Sequence, residues 1–200
     1  MTVQKVDCYS EGERAFMAAG QRARARVLFP LLFVLASARV KPDQLTFLSL
    51  LAGLLFCPAW FYSLPLAWTC LVLHVVLDGM DGPLARHLGI ASNKGSFTDT
   101  MSDQVVITAT TAAMIAANLA EPLPGLLYVT LYTAVVLFAF MRNQLNAPYS
   151  WLVRPRFYVY VWMTVEVYGL PGTLNYVLWI ASGLLFVKLL SGFVRIREKL

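Results

Sequence analysis

Long apolar stretches, separated by short breaks rich in proline, glycine or charge, make up most of the chain after residue 40. A helix needs about 20 apolar residues to cross the ~30 Å hydrocarbon core of a bilayer, and prolines, glycines and charges mark where such helices end. Cut in this way, the sequence predicts six transmembrane helices. They cover about residues 45–62, 66–86 and 96–118, then a fourth ending near 142, a short fifth at 153–168, and a sixth from Gly172 to Arg195.

The segment before these helices, residues 13–39, has a different pattern. Four arginines precede an apolar run of roughly a dozen residues that contains Pro30, which is too short to span a bilayer. We expect an amphipathic interfacial helix with its arginines at anionic headgroups. The alternative, a seventh span, would move these arginines to the other side of the membrane. The predicted organisation is a cytoplasmic N-terminus with this helix, residues 1–40, followed by a six-helix membrane domain, residues 41–200.

Composition and charge support an all-α integral membrane protein. The chain is 58% hydrophobic and 14% charged, with a mean hydropathy of +0.64. Six spans place all sixteen Lys and Arg residues on one side, whereas the turns near Ser63, Glu121 and Gly169 contain none. This is the positive-inside pattern, which predicts that both termini are cytoplasmic. The basic residues are scattered singly rather than interleaved with aromatics, so nucleic-acid binding is not expected.

Four aspartates lie close together in this otherwise apolar chain. Residues three or four apart on a helix share a face, with side chains ~5–6 Å apart, and the four make two such pairs. Carboxylates at membrane depth are costly unless they are paired or bound to a cation. All-oxygen ligands favour Mg²⁺ or Mn²⁺ over zinc, so we predict two such ions. The pairs are Asp78 with Asp81, and Asp99 with Asp103.

Small residues accompany the aspartates. Because glycine has no Cβ, Gly79, Gly82 and Gly95 let a nucleotide or diphosphate approach the backbone. Ala85 keeps the same helix face shallow, and Arg86 offers a cation to phosphate oxygens. Two divalent ions ~3.5–4 Å apart suit displacement at a phosphorus atom. The combination indicates phosphoryl transfer.

Eight positions within 26 residues fit the pattern D-x-x-D-G-x-x-A-R, eight residues, then G-x-x-x-D-x-x-x-D. With this signature the chain resembles the CDP-alcohol phosphotransferase family (class I CDP-alcohol phosphatidyltransferases), whose architecture the six spans and interfacial helix also resemble. The resemblance implies that an acceptor hydroxyl attacks the β-phosphorus of a CDP-alcohol and that CMP leaves. Residues 41–200 would then be the catalytic domain.

The resemblance also implies roles for individual residues. Asp78, Asp81 and Asp99 are expected to be metal ligands, and Asp103 to be both a ligand and the base that takes the acceptor's proton. Contacts to the donor are expected from Asp43, Gln44, Gly82, Ala85, Arg86, Ser92 and Gly95.

A different base remains open, because a carboxylate bound to a cation is a poor proton acceptor. In that alternative all four aspartates are only ligands. His87 follows Arg86 at a helix end and is more typical of a solvated basic residue. His74, one turn before Asp78, is more typical of a buried histidine that supports a ligand.

Three arginines are candidates for the acceptor site. Arg142, Arg154 and Arg156 lie at the cytoplasmic ends of the fourth and fifth predicted helices, where they would hold the phosphate of an acceptor such as inositol phosphate or glycerol phosphate. The alternative is ordinary membrane anchoring. Residues 141–148 lack the Ser and Lys pattern of inositol-phosphate users, and Gln104 stands where a basic residue is common. The acceptor is therefore open.

The main hypothesis is an enzyme of phospholipid biosynthesis that joins CDP-diacylglycerol to a small polar alcohol. One alternative transfers from a soluble CDP-alcohol to a lipid hydroxyl. Another, a divalent-cation transporter, leaves the glycines and Arg86 unexplained and would place carboxylates at mid-span rather than at helix ends. The resemblance also implies a homodimer, and the chain length favours a prokaryotic plasma membrane.

Overall fold

The computed structural model of the chain describes residues 28–150 and 154–200. In these residues the secondary structure is entirely helical, which confirms the predicted all-α class. Each of the six helices predicted after residue 40 coincides with an observed helix to within a few residues. The helices are α1 (Leu28–Ser37), α2 (Pro42–Tyr62), α3 (Leu64–His87), α4 (Asn93–Ala116), α5 (Pro122–Gln144), α6 (Arg156–Tyr168) and α7 (Leu174–Arg197).

Prolines mark the beginnings of three helices. Pro42, Pro65 and Pro122 occupy the first or second position of α2, α3 and α5. The first N–H groups of a helix have no partner within the helix, so proline loses nothing there, and its fixed φ favours the helical turn. The breaks read from the sequence are therefore true helix boundaries.

Four of the described helices, α2, α3, α5 and α7, are long and apolar enough to cross a membrane. Their outward faces carry large apolar side chains such as Phe47, Val72 and Phe186, as expected for contact with lipid. The other two predicted spans differ. α4 has 24 residues, enough for about 36 Å, but its first half is polar. α6 has 13 residues and extends only about 20 Å. The multi-pass character is clear from the four apolar helices.

The first of two compact units contains the described residues up to Thr110. Its α2 and α3 pack side by side. α4 approaches α2 closely at Gly53, where an added Cβ would overlap the Val106 side chain, and the Cys57 thiol donates to the Ala109 carbonyl over 3.3 Å. Small residues thus allow close helix contact, as is common between membrane helices.

Helix α1 covers one end of the first unit. Leu32 is buried in a cluster with Leu45 of α2 and with Met80 and Leu84 of α3. Phe33 on α1 is 59% exposed, so this short helix has apolar side chains on more than one side. The four arginines of the predicted interfacial helix lie outside the described residues.

The second unit begins at Thr111, within α4, and contains α5, α6 and α7. α7 packs against both α5 and α6. At the start of α5, Gly125 lies so close to the side chains of Ile115 and Thr111 in α4 that an added Cβ would crowd them. Glu166 of α6 is buried and accepts hydrogen bonds from the Gly172 and Leu174 N–H groups at 2.5 and 2.7 Å. A carboxylate at this helix start satisfies donors that α7 itself cannot.

Candidate functional site

A tight turn joins the two helices that carry the aspartates. α3 ends in a Schellman motif, in which the Ile90 N–H donates to the Ala85 carbonyl at 3.0 Å and the Gly89 N–H to the Arg86 carbonyl at 3.1 Å. Gly89 has a φ of 69°, in the left-handed region that glycine adopts without strain. α4 then begins at Asn93. Five residues between the helices keep the two carboxylate pairs at neighbouring helix ends.

Three of the four aspartates come together. Asp78 of α3 and Asp99 and Asp103 of α4 each offer a carboxylate oxygen, and these oxygens lie within 4.8 Å of one another. Asp103 is buried, whereas Asp78 and Asp99 are half-buried. We call these three side chains the acidic cluster. Three partly desolvated carboxylates at this spacing repel one another strongly, and a bound cation would relieve that repulsion.

The donor set of the acidic cluster fits a hard divalent cation. Its ligand atoms are all carboxylate oxygens, which suit Mg²⁺ or Mn²⁺ better than softer metals. Oxygens a few ångströms apart can converge on a common cation with small side-chain rotations.

Asp81 interacts with Asp99 and Asp78 of the acidic cluster and also has hydrogen-bond donors of its own. Its Oδ2 accepts a hydrogen bond of 2.6 Å from the Thr46 hydroxyl of α2, and its Oδ1 accepts the N–H of Gly82. Asp81 is 5% exposed, and these two donors offset part of the cost of burying it. Its role as a metal ligand stays a prediction. Thr46, which the sequence did not single out, fixes the orientation of this carboxylate.

Three of the residues predicted to contact a donor, Gly82, Ala85 and Arg86, lie on α3. An added Cβ at Gly82 would come within 3.3 Å of a terminal nitrogen of Arg86, so the guanidinium extends back over this glycine. Ala85 is half-buried on the same helix. A cation above a bare stretch of backbone is suited to a phosphate group.

Ser92 has a structural function that its position explains. Its hydroxyl oxygen accepts the N–H of Gly95 at 3.1 Å, the arrangement of an N-cap residue with the third residue of its helix. Ser92 therefore starts α4 and so sets the register of Asp99 and Asp103. Its predicted contact with the donor is untested.

Asp43 and Gln44 lie in the first turn of α2 and are exposed. The Gln44 side-chain oxygen accepts the Lys41 N–H at 2.8 Å, which stabilises the start of the helix. Asp43 places a negative charge at the positive end of the α2 dipole. These contacts account for both residues without a ligand, and their predicted proximity to the donor stays a prediction.

The two histidines differ in their surroundings. His74 is 2% exposed, and its Nδ1 lies 2.9 Å from the hydroxyl of Ser49 on α2. That hydroxyl also contacts the His74 carbonyl oxygen at 3.0 Å, so the pair joins α2 to α3 one turn from Asp78. His87 is exposed and packs edge to face against Phe29. The contacts of His74 are those expected of a supporting residue rather than of a base that meets substrate.

The second unit contains a cavity of about 530 Å³ with a basic lining. Its cations are Arg142 at the end of α5 and Lys188 and Arg195 on α7, and Tyr149, Ser150 and Ser191 add polar groups. Arg195 also forms an ion pair of 2.7 Å with Glu198. We call this cavity the basic pocket. Its surplus of buried positive charge makes it suited to an anion.

Of the three arginines predicted for the acceptor, only Arg142 is among the described residues that line the basic pocket. Arg154 is half-buried, and Arg156 is buried with its guanidinium carbon 4.6 Å from the centre of the Phe157 ring. Lys188 and Arg195 were missed because they lie more than forty residues after Arg142, Lys188 alone in an apolar run and Arg195 in the basic end of the last helix. The only signal in the sequence was a lysine, Lys188, within the apolar run of a predicted span.

Arg142 is fixed by the segment that follows α5. Its Nε donates to the Ala147 carbonyl at 2.7 Å and one terminal nitrogen to the Pro148 carbonyl at 3.0 Å. Its guanidinium carbon lies 3.9 Å from the centre of the Tyr149 ring, a cation–π distance. Burial raises the pKa of the Tyr149 hydroxyl, an effect that Arg142 opposes. Tyr149 is therefore protonated at neutral pH and can donate.

Several archaeal and bacterial proteins are similar in sequence to this chain. The chain is 38% identical over 68 residues to the "Bifunctional IPC transferase and DIPP synthase" of Archaeoglobus fulgidus, 34% of this chain and 14% of that protein. It is 38% identical over 71 residues to the "Archaetidylinositol phosphate synthase" of Aeropyrum pernix, 34% of this chain and 37% of that protein. It is 29% identical over 128 residues to the "Phosphatidylinositol phosphate synthase" of Cutibacterium acnes, 62% of this chain and 60% of that protein.

The chain thus spans less than two thirds of the length of each of these relatives. No solved structure gives a significant match. The sequence profile described as CDP-alcohol phosphatidyltransferase matches residues 39–190, which include the acidic cluster, Asp81 and the residues around Gly82 and Arg86. With three carboxylates of the signature also meeting in space, we conclude that the chain belongs to the CDP-alcohol phosphatidyltransferase family.

Proposed function

We propose that this protein transfers a phosphatidyl group from a CDP-linked lipid, in the simplest case CDP-diacylglycerol, to a small polar alcohol that carries a phosphate. CMP is the second product. The observation that carries the proposal is the acidic cluster, whose carboxylate oxygens lie within 4.8 Å of one another inside the segment that matches the family. An all-oxygen site of this kind suits divalent-cation catalysis at phosphorus.

The acidic cluster and Asp81 would hold two divalent cations, Mg²⁺ or Mn²⁺. When bound, such ions neutralise the diphosphate and stabilise the charge that develops on departing CMP. The acceptor hydroxyl oxygen forms a bond to the β-phosphorus of the donor while the bond from that phosphorus to the CMP oxygen breaks. Asp103, the buried member of the cluster, takes the hydroxyl proton.

The donor would lie along the bare face of α3. Gly82 and Ala85 leave room for the diphosphate, and Arg86, which extends over Gly82, would pair with its oxygens. Ser92 and Gly95 at the start of α4, with Asp43 and Gln44 at the start of α2, would border the nucleotide. In this arrangement the nucleotide of the donor would lie at the polar end of the first unit, and the acyl chains of the donor would stay in the lipid.

The acceptor would place its phosphate in the basic pocket. Arg142 and Lys188 are 9% and 8% exposed, and buried cations in a cavity of about 530 Å³ favour a compact anion of small-ligand size. Two relatives are an archaetidylinositol phosphate synthase and a phosphatidylinositol phosphate synthase, so inositol phosphate is the acceptor we favour, with glycerol phosphate as the second candidate. Arg154 and Arg156 would lie at the membrane edge.

In the membrane we propose six spans, with α4 and α6 added to the four apolar helices, and an interfacial helix before them. Both termini and the acidic cluster would face the cytoplasm, as the distribution of Lys and Arg favours. We further propose a homodimer in a prokaryotic plasma membrane. The mass of the protein in lipid nanodiscs tests the dimer, and reactivity of single cysteines introduced at Ser63 and Glu121 tests which side these turns face.

The experiment that tests the function is CMP release by the full-length protein in detergent with Mg²⁺ and CDP-diacylglycerol. The acceptor panel is inositol phosphate, inositol, glycerol phosphate, serine and choline. Release that requires a phosphate-bearing acceptor supports the proposal and identifies the product. Release that requires only choline or serine contradicts the acceptor. If CDP-diacylglycerol gives no CMP release but CDP-choline with diacylglycerol does, the proposed donor is wrong.

A further inference from the structure

Tyr149 contacts both buried cations of the basic pocket. The guanidinium carbon of Arg142 lies 3.9 Å, and the Nζ of Lys188 5.8 Å, from the centre of the Tyr149 ring. Two cations held this close at low exposure repel each other, while each is attracted to the aromatic face. The ring therefore holds the positive charges near each other before any anion arrives.

The hydroxyl of Tyr149 is anchored on α7. It donates a hydrogen bond of 3.0 Å to the Lys188 carbonyl, in the same residue whose ammonium group lines the pocket. The hydroxyl lies against Gly192, where an added Cβ would overlap it and would come within 3.0 Å of Phe138. The absence of a side chain at Gly192 therefore leaves the room that the Tyr149 hydroxyl occupies.

The same segment also fixes Arg142. Two of the five N–H groups that an arginine offers are committed to the carbonyls of Ala147 and Pro148, the two residues before Tyr149. Arg142 and residues 147–149 therefore hold each other in place through these hydrogen bonds and the stacking on Tyr149. A displaced Tyr149 would release the Arg142 guanidinium from its stacking and Lys188 from its anchor at the same time.

Resting on the proposed acceptor site, we propose that Tyr149, seated against Gly192, is a positioning residue that sets the affinity of the enzyme for its phosphate-bearing acceptor. It does so by fixing the separation and direction of the Arg142 and Lys188 charges. It touches neither the reacting atoms nor the donor. Its loss raises the KM for the acceptor and leaves kcat and the KM for the donor nearly unchanged.

Four variants test this assignment in the full-length protein. Tyr149→Phe removes the hydroxyl and keeps the ring, whereas Tyr149→Leu removes both. Gly192→Ala fills the space of the hydroxyl, and the double variant Gly192→Ala with Tyr149→Phe removes the atom that the new methyl meets. Matched controls are Gly183→Ala on the same helix, whose Cβ meets open space, and Tyr176→Phe, which is 70% exposed.

The expected order of acceptor KM is wild type, then Tyr149→Phe, then Tyr149→Leu. We expect about a tenfold rise for Tyr149→Leu, which corresponds to weakening one charged hydrogen bond. Gly192→Ala raises the acceptor KM as much, and the double variant lies between Gly192→Ala and Tyr149→Phe. Loss of the hydroxyl relieves the closest contact of the new methyl, while its 3.0 Å approach to Phe138 remains. The controls stay within about twofold, as distant surface changes do.

Inorganic phosphate, titrated calorimetrically into the same proteins, separates this proposal from the proposed function. If no acceptor in the panel supports CMP release, the function fails, yet phosphate should still bind the wild type more tightly than Tyr149→Leu. The proposal is overturned if Tyr149→Leu binds phosphate as wild type does or if the wild type binds none. It is also overturned if the variants lower kcat and raise both KM values together, the pattern of a merely structural loss.

Discussion

The acidic cluster and the basic pocket concentrate charge of opposite sign, and the chain assembles them in different ways. Asp78, Asp99 and Asp103 come from two helices joined by a tight turn, and helix geometry alone places them near one another. Arg142 and Lys188 come from separate helices and are held by an aromatic ring and by carbonyls. One site follows from local sequence, the other from packing between helices.

This difference predicts different sensitivities. The acidic cluster depends on a few carboxylates whose backbone positions are secure, so its variants should fold and lose chemistry. The basic pocket depends on a braced segment, so its variants should lose affinity for an anion by degrees.

The largest effect is expected for Asp103→Asn. The amide cannot accept the hydroxyl proton and is a weaker cation ligand, so kcat should fall about 10³-fold, while the folded state and donor binding persist. CMP release and binding of CDP-diacylglycerol measure the two. Glu121→Gln, the same chemical change at the start of α5, is the control. An Asp103→Asn protein with near-normal kcat would remove this residue from the mechanism.

A smaller effect is expected for Lys188→Met. Methionine keeps the length of the side chain and removes its charge, so the acceptor KM should rise about tenfold with kcat nearly unchanged. Initial rates across acceptor concentrations measure this. An unchanged donor KM would assign the basic pocket to the acceptor alone. An equal rise in the donor and acceptor KM would contradict that assignment, since the pocket would then serve both substrates.

Thr46→Val should act on metal affinity. The substitution removes the 2.6 Å hydrogen bond to Asp81 at constant shape, and losing a group that orients a ligand weakens metal binding about tenfold. The Mg²⁺ concentration at half-maximal rate should rise, and saturating Mg²⁺ should restore most of the activity. Thr69→Val, which loses only a bond to its own helix at Pro65, is the control. A lower rate at every Mg²⁺ concentration would instead point to a disturbed helix pair.

Glu166→Ala should affect stability and leave chemistry nearly intact. It strands the Gly172 and Leu174 N–H groups at the start of α7, at a cost of about 2 kcal/mol in the free energy of unfolding. Thermal unfolding of the detergent-solubilised protein measures the loss. The control Glu198→Ala breaks an exposed ion pair and should cost less than about 1 kcal/mol. Equal losses would show that Glu166 is not what caps α7.

The helices and the acidic cluster could be predicted from the sequence because both depend on residues that are close together in the chain. Apolar runs cut by prolines set the helix bounds, and an interval of three or four residues sets which carboxylates share a face. Thr46 and Ser49 were not predicted, because a single Ser or Thr within a predicted transmembrane helix gives no sign of a special role. Their partners, Asp81 and His74, are 35 and 25 residues away and are found only when α2 packs on α3.

The basic pocket was predicted only in part for the same physical reason. Arg142 was singled out because it ends a helix beside other arginines, but the separation of Lys188 and Tyr149 in sequence hides their contact. Gly192 looks like any membrane glycine until the tyrosine hydroxyl is placed against it. Contacts between helices far apart in sequence carry no local signature.

The proposed function is metal-assisted transfer from a CDP-linked lipid by the acidic cluster. Its most direct test is a Mg²⁺ titration of the chelator-treated protein, following CMP release from CDP-diacylglycerol with inositol phosphate, for the wild type and Asp99→Asn. The account predicts no release without the metal, saturable recovery for the wild type, and a shift to higher Mg²⁺ for Asp99→Asn. CMP release that persists without divalent cations, or an Asp99→Asn titration that overlays the wild type, would contradict it.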